Sequence, residues 1–202
     1  MIKNPVTEFS RTTVACFHRP LSAVWQEMRA GLEQRGLNVM CEERPMLYEA
    51  FGPEPAIGGL ACRKGGLIAV SDCSAAMITN IEDGWATLAT MASKRLSCVC
   101  WLFSISQNDV AFPLNSFTKK HSGVIERVVM AQLDTRWVFF QKGTPLDIEV
   151  PDMYQKRQIR DRVSREYVIA VAMKAGFPIG EDEFWRTGTS GLFFSETGKL
   201  NS

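Results

Sequence analysis

The amino-acid sequence predicts an α+β fold: a largely antiparallel sheet flanked by three main helices, in a single domain over residues 1–202. Three observations carry that expectation. From Ala76 to Glu149 the chain reads as strand, helix, then a run of strands joined by short polar turns. Two segments repeat apolar residues at helical offsets: Leu21, Val24, Trp25, Met28 and Leu32, then Trp85, Leu88, Ala89, Ala92 and Leu96. A third, YVIAVAM at 167–173, is apolar all round, as a helix buried on several sides is.

Each element follows from local chemistry. Thr13–Phe17 is a β segment, and Pro20 opens the first helix, Leu21–Arg35, because its missing N–H falls where helical donors lack partners anyway. Gly36 stops that helix, and Leu37–Glu43 returns as a strand. Residues 52–66, rich in glycine and proline, predict a loop or wide hairpin connection. Leu67–Ser71 and Ala76–Ile81 read as strands. Asp83 is placed to cap the second helix, Trp85–Leu96. Two strands between Cys98 and Ser116 flank Gln107-Asn108-Asp109, and Thr118–Gly123 reads as a surface turn. Val124–Leu133 and Thr135–Lys142 form a further hairpin around Asp134. The third helix is expected over Met153–Ala175. The tail reads as loosely held from about residue 186, apart from an edge strand at Leu192–Phe194.

Composition narrows the function classes. With 46% hydrophobic residues the chain can bury a substantial core. Its 23 basic and 22 acidic residues leave a net charge of +1, which argues against whole-molecule attraction to nucleic acid or an acidic membrane. No run reaches membrane-spanning length, and MIKNPVTEFSRTTV lacks the apolar centre of a secretory signal. The six cysteines are scattered without a C-x-x-C spacing, which fits free thiols in a reduced, cytoplasmic protein.

No constellation of side chains announces a reaction. His18 stands at a strand-to-helix junction and His121 in a Lys-Lys-His-Ser-Gly turn; a capping or solvated role suits each better than catalysis. Cys98 and Cys100 lie two apart on a strand, where their thiols run parallel and do not converge on a metal. Gly58-Gly59 and Gly65-Gly66 bracket Arg63-Lys64, but the phosphate-binding spacings are missing. Among paired carboxylates, Glu42-Glu43 point to opposite faces of a strand, Glu82-Asp83 precede a helix, and Asp147 and Glu149 follow a turn and default to solvent. The cations Lys156, Arg157, Arg160, Arg162 and Arg165 face Asp161 and Glu166 at helical spacing and read as a self-paired surface. Phe139-Phe140 alternate on a strand, so one of them is exposed, and an exposed aromatic on a sheet is an interface clue.

Three blocks, EDGWATLATMASKRLSC, TRWVFFQKGTPLDIE and YQKRQIRDRVSREYVIAVAMKAGFPI, resemble the immunity proteins encoded beside bacterial toxins in contact-dependent, type VI secretion and polymorphic toxin systems. The likeness lies in element order and aromatic placement, over about half the chain, and no contact residue carries over from the family. It implies a non-catalytic cytoplasmic protein, without a cofactor or metal, that binds and neutralises one cognate toxin from the adjacent gene. Against a cationic nuclease toxin the natural contacts are acidic: Glu42, Glu54, Asp109 and Asp134 are the expected binding residues. Two readings stay open beside it. One is a small hydrolase or transferase with a site near His18 and the Gly58–Gly66 loop. The other is a small-ligand or nucleotide-binding module using Arg63, Lys64 and the basic third helix.

Overall fold

A computed structural model describes residues 4–44, 51, 63–107, 109–185 and 191–199. The strands are β1 (Arg11–Phe17), β2 (Leu37–Arg44), β3 (Lys64–Ser71), β4 (Ser74–Thr79), β5 (Val99–Ser106), β6 (Leu114–His121), β7 (Val124–Leu133), β8 (Trp137–Lys142) and β9 (Gly191–Lys199). The helices are α1 (Pro5–Glu8), α2 (Leu21–Glu33), α3 (Ala86–Arg95), α4 (Arg165–Lys174) and α5 (Asp182–Trp185). All nine strands join one antiparallel sheet in the order β2-β9-β3-β4-β1-β5-β6-β7-β8. This is the expected α+β architecture, with α2, α3 and α4 as its main helices.

The central strands are apolar on both faces because both faces are covered. In β1, Val14 and Cys16 join a core cluster under α4, while Ala15 and Phe17 join a second cluster under α2 and α3. Hence burial runs unbroken from Thr12 to Phe17, and β4 is buried throughout. The stripe on α2 buries Val24, Met28 and Leu32, and the helix gives way at Gly36, whose φ of 70° suits a residue without a Cβ. Before α3, the Asp83 carboxylate accepts the Trp85 N–H at 2.9 Å, but Asp83 is not the cap: Trp85 holds the N-cap position without a side-chain cap, and the helix begins at Ala86, one residue later than expected.

Four expectations need correction. Met153–Ala175 is not one helix. It divides into a 3-10 turn at Pro151–Gln155, a second at Ile159–Asp161, and α4. Ser164 caps α4 by accepting the Tyr167 N–H at 3.2 Å, and Arg162 Nε bonds the Lys156 carbonyl at 2.8 Å, holding the preceding segment in a compact coil. The paired cationic face of a long helix therefore does not form. Second, Thr118–His121 completes β6, and the turn is confined to Ser122-Gly123. Third, Lys64–Gly66 belongs to β3 and Arg63 directly precedes it; residues 52–62 of the expected loop lie outside the described residues. Fourth, Leu192–Phe194 is no edge strand. It sits inside β9, paired to β2 on one side and β3 on the other. Gly65 permits this insertion, since a Cβ there would stand 2.2 Å from Phe194 Cζ.

Candidate functional site

The helical layers do not cover the sheet evenly. Cys100 and Leu102 of β5 belong to the cluster under α2 and α3, which defines that face of the sheet. Register extends the face outward in rows: Leu102, Thr118, Val128, Lys142; then Ser104, Ser116, Met130, Phe140; then Leu114, Gln132, Val138. Over β7 and β8 this face has no helical cover among the described residues. Phe140 is 45% exposed, Val138 43% and Ile125 49%. Where the bare face meets α3, a hollow of about 390 Å³ is lined by Ala86, Thr87, Thr90, Met91, Lys94 and Lys120. Lys120 is buried there, its ammonium on the Thr90 hydroxyl at 2.5 Å, and burial lowers its pKa, outweighing the opposing effect of Cys100.

The opposite side of β8 is built differently. Trp137 and Phe139 pack partly buried against the core under α4, and the Arg162 guanidinium lies 5.4 Å over the Phe139 ring. Beside Trp137 run two adjoining clefts that share Trp137 and Arg160. One, of about 420 Å³, adds Arg157, Gln158 and Ile159. The other, of about 380 Å³, adds Pro113, Asn115, Asp161, Ser164 and Glu166. Thus β8 has an apolar flank on one face and, on the other, a ledge beside Trp137 that is cationic at Arg157 and Arg160 and carries Asp161 and Glu166 in the adjoining cleft.

A buried polar network positions this edge. Arg127 on β7 and Glu149 on the loop after β8 are both sealed from solvent. Glu149 also accepts the Leu146 N–H at 2.9 Å and the Tyr154 hydroxyl at 2.5 Å. Tyr154 Oη then accepts the Tyr167 hydroxyl at 2.9 Å, and Tyr167 Oη accepts the Val150 N–H at 3.0 Å. Burial alone would raise the Glu149 carboxyl; the hydrogen bonds from Arg127, Tyr154 and Leu146 outweigh it and hold its pKa below the usual carboxylate range. Burial and the bond to Glu149 push the Tyr154 phenol up. The chain leaving β8 is thereby clamped back onto β7.

The residues singled out from the sequence are scattered. Glu42 lies on β2, the opposite edge of the sheet, paired with Arg44 at 3.0 Å. Asp109 and Asp134 are exposed in the β5–β6 and β7–β8 connections at one end of the sheet, which the Leu133 N–H to Pro113 carbonyl bond ties together. Glu54 lies outside the described residues. His18 packs its ring 5.0 Å from Phe177, and burial followed by Lys119 lowers its pKa. His121 and Lys119 both approach Glu126, at 3.5 Å and 2.9 Å. Arg63 pairs with Glu196 and sits 5.7 Å over Trp85, and the Lys64 N–H is taken by Asn80. The Gly58–Gly59 part of the expected enzyme loop lies outside the described residues, and Gly65-Gly66 are strand residues. Glu149, expected in solvent with Asp147, is instead the centre of the buried network, while Asp147 is exposed.

The sequence does not reveal the apolar patch that Val128, Met130 and Val138 form with Phe140; the alternation at Phe139-Phe140 in β8 is its one signal. Phe140 is the exposed member and Phe139 the packed one. Among the described residues no group of three or more His, Cys, Asp or Glu side chains could hold a metal ion, and no helix is long and apolar enough to cross a membrane. No protein-family model, curated protein or solved structure matches this chain.

Proposed function

We propose that this chain is a non-catalytic binding protein of the immunity type, which seizes one cognate bacterial toxin in the cytoplasm and neutralises it by occupying its surface. The observation that carries the reading is the bare half-sheet: an apolar patch of Val128, Met130, Val138 and Phe140 at the end of the sheet, the last two on a strand whose outer edge has no partner among the described residues. Exposed apolar surface gathered on a rigid sheet is costly in water and marks a contact surface. Exposed aromatics supply much of the energy of such contacts. The network around Arg127 and Glu149 supports the reading further, because it fixes the strand before any partner arrives.

The experiment co-expresses the chain with the product of the adjacent upstream gene. Wild-type protein should rescue growth and co-purify with that product. Val138→Glu combined with Phe140→Glu should lose both effects while the variant stays folded. His18→Ala and His121→Ala should keep them. Failure of the wild type to rescue, or loss of rescue on either histidine change in folded protein that still binds, would sink the reading.

A further inference from the structure

We infer that β8 receives an extended segment of the protein partner as an added strand, and that this segment alternates acidic and apolar residues. The inference rests on the binding-protein reading and specifies how the partner docks. β8 hydrogen-bonds to β7 alone, so the backbone N–H and C=O groups of every second residue point outward without a strand partner among the described residues. Such an edge is a template for another strand. Proteins usually blunt it with short length, lysines, proline, inward-pointing charges or bulges, and of these β8 carries its six-residue length and Lys142 at its end. Here the edge strand reads Trp137-Val138-Phe139-Phe140-Gln141-Lys142, with no proline, and it pairs with β7 in unbroken register.

The two faces of the edge dictate the side chains. An added strand sends successive residues to opposite faces. On the face of Trp137, alternate residues pass the ledge of Arg157 and Arg160. Arg157 makes no ion pair among the described residues, and Arg160 meets only its neighbour Asp161, at 3.7 Å with both largely exposed. Carboxylates at every second position would answer these two guanidinium groups, with Trp137 as the floor between them. On the other face the intervening residues pass Val138 and Phe140, which calls for apolar side chains. Arg136 and Lys142 flank the strand's core and add to the preference for an acidic segment; Asp134 in the turn, and Asp161 and Glu166 in the adjoining cleft, work against it, so the carboxylates belong beside Arg157 and Arg160. The same cations oppose pairing of β8 with β8 of a second copy, since both edges would carry them.

The test titrates the full-length chain with a fluorescent short peptide alternating glutamate and valine, and with its lysine–valine counterpart, followed by anisotropy. Amide exchange is read on β8. The glutamate peptide should bind about tenfold more tightly than the lysine peptide and slow exchange on β8. Arg157→Glu with Arg160→Glu, both at exposed positions, should abolish that preference without changing the melting temperature. A glutamate peptide N-methylated at every second residue keeps the side chains but loses the ladder donors, and should fail to bind. Equal affinity for both peptides, no binding of the glutamate peptide, protection that avoids β8, or a dimer that protects β8 in the chain alone would each overturn the inference. The two readings fail separately. A charge-reversed variant that still rescues growth, in a complex whose β8 amides exchange freely, removes the docking mode and leaves neutralisation standing. Peptide binding at β8 without rescue by the wild type does the reverse.

Discussion

Arg127 and Glu149 meet as a two-point pair from which water is excluded: Nε reaches one carboxylate oxygen at 2.8 Å and Nη2 reaches the other at 2.6 Å. The rest of the guanidinium is also satisfied, by the Gln141 side chain and the Gly143 and Lys142 carbonyls. Burying two charges is costly, so the pair is no net gain over an apolar replacement by default. Breaking it is another matter. Glu149→Ala leaves Arg127 buried and unpaired and should cost about 3–5 kcal/mol. Urea unfolding measures this, and the double change Arg127→Leu with Glu149→Leu should restore part of the loss. A single-variant loss below ~1 kcal/mol would show that water reaches the pair.

The same carboxylate makes stability depend on pH. Its folded pKa lies below the unfolded value, so the unfolded chain takes up the proton first on acidification. The contribution is complete above the ordinary carboxylate range, near pH ~4.3, and drains away as pH falls through the folded value. Urea midpoints should therefore drop on acidification below that range, and drop less steeply in Glu149→Gln. Parallel slopes for the two proteins would assign the acid sensitivity to other carboxylates, Glu126 among them, whose pKa the Lys119 hydrogen bond also lowers.

Gly65→Ala tests how β9 is held. A Cβ at Gly65 would sit 2.2 Å from Phe194 Cζ and within 2.8 Å of two more ring atoms, so the buried ring must move. Phe194 packs between Trp25 and Trp85, at 5.2 Å and 6.0 Å between ring centres, which leaves it little room. Overpacking of this kind costs about 1–3 kcal/mol. Amide exchange should speed up in β9 and β2, beyond the substitution, while β5–β8 stay unchanged.

How much of this was legible in the sequence follows from how local each signal is. The stripes Leu21 to Leu32 and Trp85 to Leu96 are local periodicities and mark α2 and α3 to within one or two residues at their ends. The break within Met153–Ala175 is also locally encoded, by Ser164 at a cap position, but the run of charged residues before it reads as helical. β9 was obscured because its place is set by partners far away in the chain, β2 and β3, and its own Ser, Thr and Gly content reads as loop. Glu149 looked solvated for a similar reason: the cation that buries it is 22 residues away on another strand. The bare face was half legible. Alternation at Phe139-Phe140 shows that one ring turns outward, but which face lacks a helix is decided by where α2 and α3 dock.

Thiol reactivity should sort by layer. Cys41 and Cys73 are exposed, whereas Cys16, Cys98 and Cys100 are buried as free thiols. Burial raises the pKa of Cys16 and Cys100 well above the ordinary thiol range, so little thiolate exists there to react. A native titration should label exposed Cys73 and, more slowly because partial burial raises its pKa, exposed Cys41, and leave Cys16 and Cys100 untouched until denaturant is added. Mass mapping identifies each site. Fast labelling of Cys100 in native protein would mean that the cluster under α2 and α3 opens readily.

The uneven cover of the sheet makes the last prediction, which sets two aromatics against each other. Trp85 is 4% exposed under α3, ringed by Phe194 and the Arg63 guanidinium. Its truncation to alanine removes a buried aromatic and should cost about 3–5 kcal/mol. The left-handed backbone at Trp85, φ 54°, strains alanine as much as tryptophan, so no relief offsets the loss. Phe140 lies on the same sheet but beyond the reach of the helices, 45% exposed. Phe140→Ala should cost clearly less, about 1 kcal/mol, because the residue already leaves nearly half of its surface in water. Partner binding should order the two the other way: Phe140→Ala weakens the complex in protein that is nearly as stable as the wild type, while Trp85→Ala lowers stability and, where it stays folded, leaves affinity alone. Chemical denaturation and binding isotherms on the two variants separate these effects. A large stability loss at Phe140 would mean that the face over β7 and β8 is covered within the chain itself and is not held open for a partner.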